Sequence, residues 1–178
     1  MEFSVGGFPF AVHVVFSADR LAGLDDADLV DEIADPEADA TVFLLAGRAD
    51  AWPSLGLRVA YAPSTGGFPF AVHVVPETGV LFVGAGRGVH AYRLDPPRPL
   101  WHAETDCGFW GWSQHGDVVL MSAELELAAW TAEGDKLWST FVEPPWSFAV
   151  DDGVVSLDVM GELSAFPVLG GPSVTGVS

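Results

Sequence analysis

Three shortages limit what this sequence of 178 residues can be. It has one cysteine, Cys107, so no disulfide can form within the chain, and we expect a reducing, cytoplasmic location. No uninterrupted apolar run reaches the roughly 20 residues that a membrane-spanning helix needs. Lys and Arg number 7 against 25 Asp and Glu, which gives a net charge of −18. We therefore expect no nucleic acid and no membrane as partners, because both attract cationic surfaces.

Apolar and aromatic residues, by contrast, are abundant. Hydrophobic residues make up 49% of the chain and include 7 Trp and 12 Phe. A chain of this length and composition buries a core, so we expect residues 1–178 to form a single folded domain. The acidity then has two interpretations. It keeps an apolar, strand-rich protein soluble, or it attracts a basic protein partner.

Turn segments mark a repeat of 37 residues in the C-terminal two thirds of the chain. PETG, SQHG and VDDG end at Gly79, Gly116 and Gly153, at intervals of 37 residues. Each turn is followed by an apolar, β-branched run and then by a short run that ends in a small and an aromatic residue. Two units continue through a polar turn to a Leu-Trp pair, at Leu100 and Leu137. The pattern predicts four short strands per unit.

This unit resembles the repeats of the PQQ-like and WD40-like β-propeller family. The match is clearest over Phe68–Val168 and best in GDVVLMSAELELAAWTAEGDKLWSTF, Gly116–Phe141. The resemblance implies an all-β fold, a propeller-like array of about four short four-stranded blades. The resemblance does not tell us whether there is an active site or where it lies, because propellers host binding and catalysis alike. No quinone-binding or metal-binding motif of the family's dehydrogenases maps onto these residues, so we expect no cofactor and no metal.

The decapeptide GGFPFAVHVV occurs twice, at Gly6–Val15 and at Gly66–Val75. Its place before the first turn glycine predicts that it forms the first strand of two successive blades. The gap between the copies is longer than the repeat, so the earlier blade carries an insertion. The identity of all ten residues exceeds what a shared strand position requires.

We assign this insertion to the acidic segment 24–40 and expect it to be a small helix. Leu29, Val30 and Ile33 have helical spacing. Asp25 or Asp26 would cap its N-terminus, and Pro36 would end it. The insertion therefore places a negatively charged helix on an otherwise all-β domain.

Four first strands can be counted in the sequence. We expect them at Phe8–Val15, Phe68–Val75, Phe109–His115 and Trp146–Asp151. The fourth blade lacks its outer strand, which residues 2–5 or the tail 169–178 could supply to close a ring. The alternative is an open half-ring, whose exposed blade face would be buried in a homodimer.

Two groups of side chains are candidates for partner binding. The first is the acidic set Asp25, Asp26, Asp28, Asp31 and Glu32 in the predicted insertion. The second is an aromatic patch that breaks the repeat consensus, Phe109, Trp110 and Trp112. Acidic groups select basic partners, and exposed tryptophans anchor protein interfaces.

Histidines are the remaining candidates for chemistry. His13 and His73 occupy the same position of the two decapeptides, so we expect both to line the centre of the array. His102, Glu104 and Asp106 alternate along one outer strand, the spacing of a divalent-metal site, but alternating polar residues on such a strand ordinarily face water. We therefore assign no metal ligands and no catalytic residues.

Three functions remain open from the sequence. The first is a non-enzymatic protein-binding or scaffold module, for example an immunity or inhibitor protein that captures a basic partner. The second is an enzyme with a central site that uses His13 and His73. The third is a structural module that completes its ring by self-association.

Overall fold

Alternating apolar residues and glycine turns fold the chain into successive antiparallel strands. The computed structural model describes residues 2–5, 9–17, 19, 21–63 and 68–173. It contains sixteen strands and one short 3-10 helix over Leu24–Asp26 within these ranges. In the described part of the chain, no helix is long and apolar enough to cross a membrane.

Sheet 1 is the N-terminal sheet and contains five strands. They are β1 (Glu2–Val5), β2 (Phe10–Phe16), β3 (Leu29–Ala34), β4 (Ala40–Arg48) and β5 (Ala51–Tyr61). Their order is β1-β2-β4-β5-β3, and all neighbours are antiparallel except β3, which lies parallel to β5. Strand β3 is therefore an edge strand that has been added outside the regular meander.

The three sheets that follow are simple meanders. Sheet 2 is formed by β6 (Phe70–Val75), β7 (Val80–Ala85), β8 (Gly88–Leu94) and β9 (Pro97–Glu104). Sheet 3 is formed by β10 (Phe109–His115), β11 (Val118–Ala123), β12 (Glu126–Thr131) and β13 (Lys136–Phe141). Sheet 4 has only β14 (Trp146–Asp151), β15 (Val154–Val159) and β16 (Glu162–Pro167).

The four sheets stack face to face in chain order. One buried cluster joins sheets 1 and 2, a second joins sheets 2 and 3, and a third joins sheets 3 and 4. Strand β7 shows the consequence, since all six of its residues are buried between two neighbouring sheets. The predicted propeller-like array of short sheets is confirmed.

Tryptophans of the outer strands tie sheet 2 to sheet 3 and sheet 3 to sheet 4. The Trp101 ring of sheet 2 stacks on Trp130 of sheet 3 with centroids 5.1 Å apart, and its Nε1 donates to the Gly134 carbonyl at 2.6 Å. Trp138 repeats the arrangement one sheet later, where its Nε1 donates to the Val168 carbonyl at 2.7 Å. The recurrence of Leu-Trp in the sequence is thus a repeated sheet-to-sheet contact.

The three repeat glycines occupy the turn between the first and second strands of sheets 2 to 4. Gly79, Gly116 and Gly153 have φ angles of 67°, 60° and 75°. A side chain at such positive φ clashes with the backbone, so the turn favours glycine. The interval of 37 residues in the sequence therefore records the position of one hairpin turn.

The second copy of the decapeptide forms the first strand of sheet 2, as predicted, whereas the first copy forms the second strand of sheet 1. The copies correspond to β2 and β6, and β10 and β14 have the predicted bounds of the other two first strands. Residues 6–8 and 66–67 of the two copies lie outside the described residues.

The predicted helix within 24–40 is wrong. Only the three residues Leu24–Asp26 are helical, and Leu29–Ala34 is strand β3. The exposure of β3 alternates residue by residue, with Leu29, Asp31 and Ile33 turned inward. A six-residue segment has too few internal hydrogen bonds to hold a helix, whereas the edge of β5 supplies a complete set of strand partners.

The two ends of the array differ. The outer face of sheet 1 is covered by Leu21 and Leu24, which pack on Phe43 and Leu45. No buried cluster of the described residues joins sheet 4 to sheet 1. Strand β1 pairs with β2 and so extends sheet 1 rather than completing sheet 4.

The tail, 169–178, was the other candidate for the missing outer strand of sheet 4. In the described residues it adds no strand, and sheet 4 has three. Gly171 lies against the ring of Trp138, close enough that a Cβ atom would come within 2.5 Å of it. Residues 174–178 lie outside the described residues.

Replacing Trp101 with alanine tests the sheet-to-sheet contact. We expect the free energy of unfolding to fall by about 3 kcal/mol, because the stacked ring and its hydrogen bond are both lost. The control is Phe141→Ala at a side chain that is 66% exposed, where we expect a change within about 0.5 kcal/mol. Urea unfolding measures both variants, and equal effects would contradict the assigned role of Trp101.

Candidate functional site

A concave groove lies between sheets 1 and 2 in the described part of the chain. It has a volume of about 850 Å³. Residues 31–37 line one wall and residues 99–104 line the other. Successive side chains of a strand point to opposite faces, so a wall made of consecutive residues follows the strand's edge. The groove therefore runs between the outer edges of β3 and β9.

Acidic side chains dominate the charge of this groove. The five carboxylates that line it are Asp31, Glu32, Asp35, Glu37 and Glu104. Arg87 is the one Lys or Arg side chain among the lining residues of the described chain. The groove thus gathers several carboxylates of this acidic protein at one concave surface. Such a surface attracts cations more strongly than the same charges spread over a convex one.

Asp31 connects the two sheets across the groove. Its Oδ2 accepts a hydrogen bond from the Tyr92 hydroxyl at 2.9 Å, and its Oδ1 accepts one from the Glu32 amide at 2.8 Å. Burial, together with the carboxylate, raises the pKa of Tyr92 above its usual range, so the phenol remains a donor. Arg58 of β5 pairs with the Glu32 carboxylate on the opposite, solvent face of sheet 1.

Two imidazoles are among the side chains that line the groove. The rings of His90 on β8 and His102 on β9 stack with centroids 6.1 Å apart. The pKa of His90 is lowered from 6.5 to about 4, chiefly by burial and to a lesser extent by the neighbouring His102, against a smaller opposing effect of Asp31. His90 is therefore neutral at pH 7 and contributes no positive charge to offset the carboxylates.

The acidic residues predicted from the sequence fall into two separate places. Asp31 and Glu32 line the groove, whereas Asp25, Asp26 and Asp28 do not. The latter three are exposed around the short helix that covers the outer face of sheet 1. The strand conformation of β3 separates them, because it carries the chain from that face to the sheet edge.

The predicted exposed patch of Phe109, Trp110 and Trp112 is not formed. Phe109 is fully buried, and Trp112 packs half-buried against it and against Phe82. Trp110 remains exposed and stacks on Trp146 of sheet 4 with centroids 5.3 Å apart. Phe109 is buried because it packs over Gly84 of sheet 2, where a Cβ atom would lie 2.5 Å from its ring.

The repeat histidines lie on β2 and β6, apart from the groove. His73 is half-buried, and its Nε2 lies 2.9 Å from the Gln114 side-chain oxygen of β10. His13 is half-buried on β2. The hydrogen bond gives His73 a structural role as a link between the first strands of sheets 2 and 3.

Sequence reasoning missed most of the groove. The sequence pattern marked neither His90 nor Tyr92 as a candidate site residue. The polar alternation of His102 and Glu104 was noticed, and it does mark an accessible edge strand. No group of three His, Cys, Asp or Glu side chains among the described residues is placed to hold a metal ion.

His90 makes a testable prediction about pH. In the unfolded chain His90 has an ordinary pKa of 6.5 and is protonated between pH 6.5 and 4, whereas in the folded protein it stays neutral over this range. Stability is therefore lost as pH falls through this window, by about 2 kcal/mol at pH 5 relative to pH 7 from His90 alone. Urea unfolding at both pH values should show that His90→Gln removes this part of the pH dependence. The control His115→Gln should retain it, and an unchanged slope for His90→Gln would contradict the burial of a neutral imidazole.

Comparison with known proteins identifies the fold. No protein-family model matches the sequence, and no curated protein matches it. The chain is similar to the crystal structure of HIRA(644-1017), with a TM-score of 0.52 and 11% identity over 95% of this chain and 50% of that chain. It is also similar to the AfRom2 CNH domain, with a TM-score of 0.41 and 10% identity over 93% of this chain and 54% of that chain.

A third similar structure is BamB from Moraxella catarrhalis, with a TM-score of 0.39 and 11% identity over 80% of this chain and 50% of that chain. The chain thus spans about half the length of these three proteins. The similarity to HIRA(644-1017), with the one TM-score above 0.5 among these three, supports a β-propeller-type fold, and an identity this low shows the fold alone.

Proposed function

We propose that the protein is a non-enzymatic binding module that takes a basic segment of a protein partner into the groove between β3 and β9. The observation that carries the proposal is the lining of this groove, which contains five carboxylates, one of them paired with Arg58, and the single guanidinium of Arg87. Complementary charge speeds association and rejects like-charged competitors. The net charge of −18 extends the same selectivity over the rest of the surface.

The shape of the groove supports a polypeptide ligand. Its two walls are six or seven residues long, which corresponds to about 20 Å of extended strand. A small molecule would be surrounded in a pocket, whereas this site is a trough between two strand edges. An extended segment of several residues fills such a trough along its whole length.

The carboxylates of the groove differ in whether they also make hydrogen bonds or ion pairs within the protein. Asp31 is held by Tyr92, and Glu32 is paired with Arg58, so changing either would also disturb the protein. Glu37 and Glu104 are exposed at the two walls. These two residues therefore allow the charge of the groove to be altered with little effect on folding.

Removing both charges, in the double variant Glu37→Gln/Glu104→Gln, tests the proposal. The probe is a short fluorescent peptide in which Lys alternates with Thr, measured by fluorescence anisotropy at low salt. We expect the dissociation constant to rise about tenfold, since each exposed ion pair contributes up to about 1 kcal/mol. A peptide with Glu in place of Lys should not bind.

Two matched controls also remove two negative charges each. Glu143→Gln/Glu162→Gln alters sheets 3 and 4, and Asp25→Asn/Asp28→Asn alters the covered face of sheet 1. Both should bind the Lys peptide nearly as well as the parent protein. Equal weakening in all three double variants would show attraction to net charge alone and would contradict a site in the groove.

A second candidate function, a module that associates with itself, is favoured by the uncovered face of sheet 4. Leu163 is 80% exposed and Val154 is 41% exposed. The centre of this face carries the small residues Ala149, Ser156 and Ala165, which lie in register across the three strands. A flat surface of small residues allows another sheet to approach closely, as the sheets within the array do.

The occupant of this face would be the same face of a second copy. Sheet 1, the other end of the array, is closed by Leu21 and Leu24, so its outer face offers no equivalent surface. A twofold pairing of sheet 4 with sheet 4 buries the exposed Leu163 side chains of both copies.

Light scattering over a range of concentrations tests this second candidate. We expect the mass to rise from the 18.8 kDa of one chain towards twice that value, and Leu163→Asp to abolish the rise because it buries a charge. Phe141→Asp, at an exposed site outside the face, should leave the rise in mass unchanged. A constant mass of one chain at every concentration would contradict self-association.

A further inference from the structure

The free edge of β3 indicates how the partner segment is held. We infer that it binds as an additional strand of sheet 1, paired with β3 and carrying basic side chains at every second position. The inference rests on the proposed function, since the groove must first accept a basic segment. It adds the backbone geometry and the sequence pattern of the ligand.

The backbone groups available on β3 follow from its pairing with β5. The Asp35 amide donates to the Ala60 carbonyl at 3.0 Å, which continues the register in which Ala34 lies opposite Ala60. Successive residues of a strand direct their backbone groups to opposite sides. The groups of Leu29, Asp31 and Ile33 therefore face β5, and those of the intervening residues face the groove.

The residues with outward-facing backbone groups are Val30, Glu32 and Ala34, and all three are exposed. Sheet 1 ends at β3, so no strand of the described residues pairs with them. The Glu32 amide is covered by the Asp31 carboxylate at 2.8 Å. An acidic side chain at this position discourages two β3 edges from pairing with each other but attracts a strand that carries a cation.

The opposite edge of the groove is less suitable for strand addition. Strand β9 contains Pro97 and Pro99, which have no amide hydrogen to donate. Prolines are a common means of keeping an edge strand from accepting a partner. Of the two edges that bound the groove, β3 is therefore the one that can extend its hydrogen-bond ladder.

The alternation of β3 sets the pattern of the ligand. Asp31 faces sheet 2, while the neighbouring Val30 and Glu32 face solvent. In an added strand, every second side chain would point into the groove towards Asp31 and Glu104, and the others would point outward. Lys or Arg at every second position fits this arrangement. In a block of consecutive basic residues, half of the charged side chains would point away from the groove.

Backbone methylation of the peptide separates strand pairing from charge attraction. The probe is the same alternating Lys-Thr peptide in two forms, one methylated at the amides of its Lys residues and the other at those of its Thr residues. Both keep every charge and carry matched numbers of methyl groups. Only one set of amides faces β3, so one form should lose about tenfold or more in affinity while the other binds nearly unchanged.

A matched pair of protein variants provides the reciprocal test. Ala34→Pro removes an outward amide without touching the β3–β5 ladder, and Ala34→Thr retains it. We expect only the proline variant to lose affinity for the unmethylated peptide, again by about tenfold. Circular dichroism and urea unfolding show that both variants remain folded.

The outcomes distinguish this inference from the proposed function. Equal affinities of the two methylated peptides, whether both retained or both lost, would overturn strand addition while leaving capture in the acidic groove intact. Failure of the unmethylated Lys peptide to bind would overturn both. Selective loss with one methylation pattern and with Ala34→Pro supports strand addition.

Discussion

The structure depends on one constraint, which is that the inner sheets are apolar on both faces. All six residues of strand β7 in sheet 2 are buried, so neither face of this strand is in water. Each inner sheet therefore lies between two others, and tryptophans of the outer strands of sheets 2 and 3 contact the sheet that follows. Trp101 and Trp138 make the same contact in successive repeats, with a ring on the next sheet and a hydrogen bond to a carbonyl beyond it.

Stacking by faces determines where the protein can interact with other molecules. Neighbouring sheets cover the faces of the inner sheets. The features that another molecule can reach are therefore the strand edges and the two ends of the array. One end is closed by Leu21 and Leu24, and the other exposes Leu163. Between sheets 1 and 2 the added strand β3 moves the edge outward and creates the groove, whose walls are backbone edges with carboxylates attached. The proposed binding in this groove would leave the core undisturbed.

The sequence was most informative where a position repeats. The glycines at intervals of 37 residues, the Leu-Trp pairs and the decapeptide each predicted a turn or strand that the structure contains, because the same packing problem is solved several times. Phe109 illustrates the limit of this reasoning. It was expected to be exposed because its surroundings break the consensus, yet its ring fills the space above Gly84. That space is created by another repeat and is not visible in the local sequence.

The acidic segment shows why the groove could not be predicted. Leu29, Val30 and Ile33 fit a helix, while Leu29, Asp31 and Ile33 fit a strand, and local spacing alone does not decide between them. The decision comes from the unpaired edge of β5 and from Tyr92, which is 61 residues away and binds Asp31. Once β3 is a strand, Asp31 and Glu32 separate from Asp25, Asp26 and Asp28, and only the first two reach the groove.

Amide hydrogen exchange along β3, followed by nuclear magnetic resonance, tests the central claim most directly, because a strand with one free edge protects alternate amides. The account predicts slow exchange at Asp31, Ile33 and Asp35, whose amides face β5, and fast exchange at Val30 and Ala34, whose amides face the groove. Protection of all these amides, as in a helix or a strand paired on both sides, would contradict it. So would fast exchange at all of them.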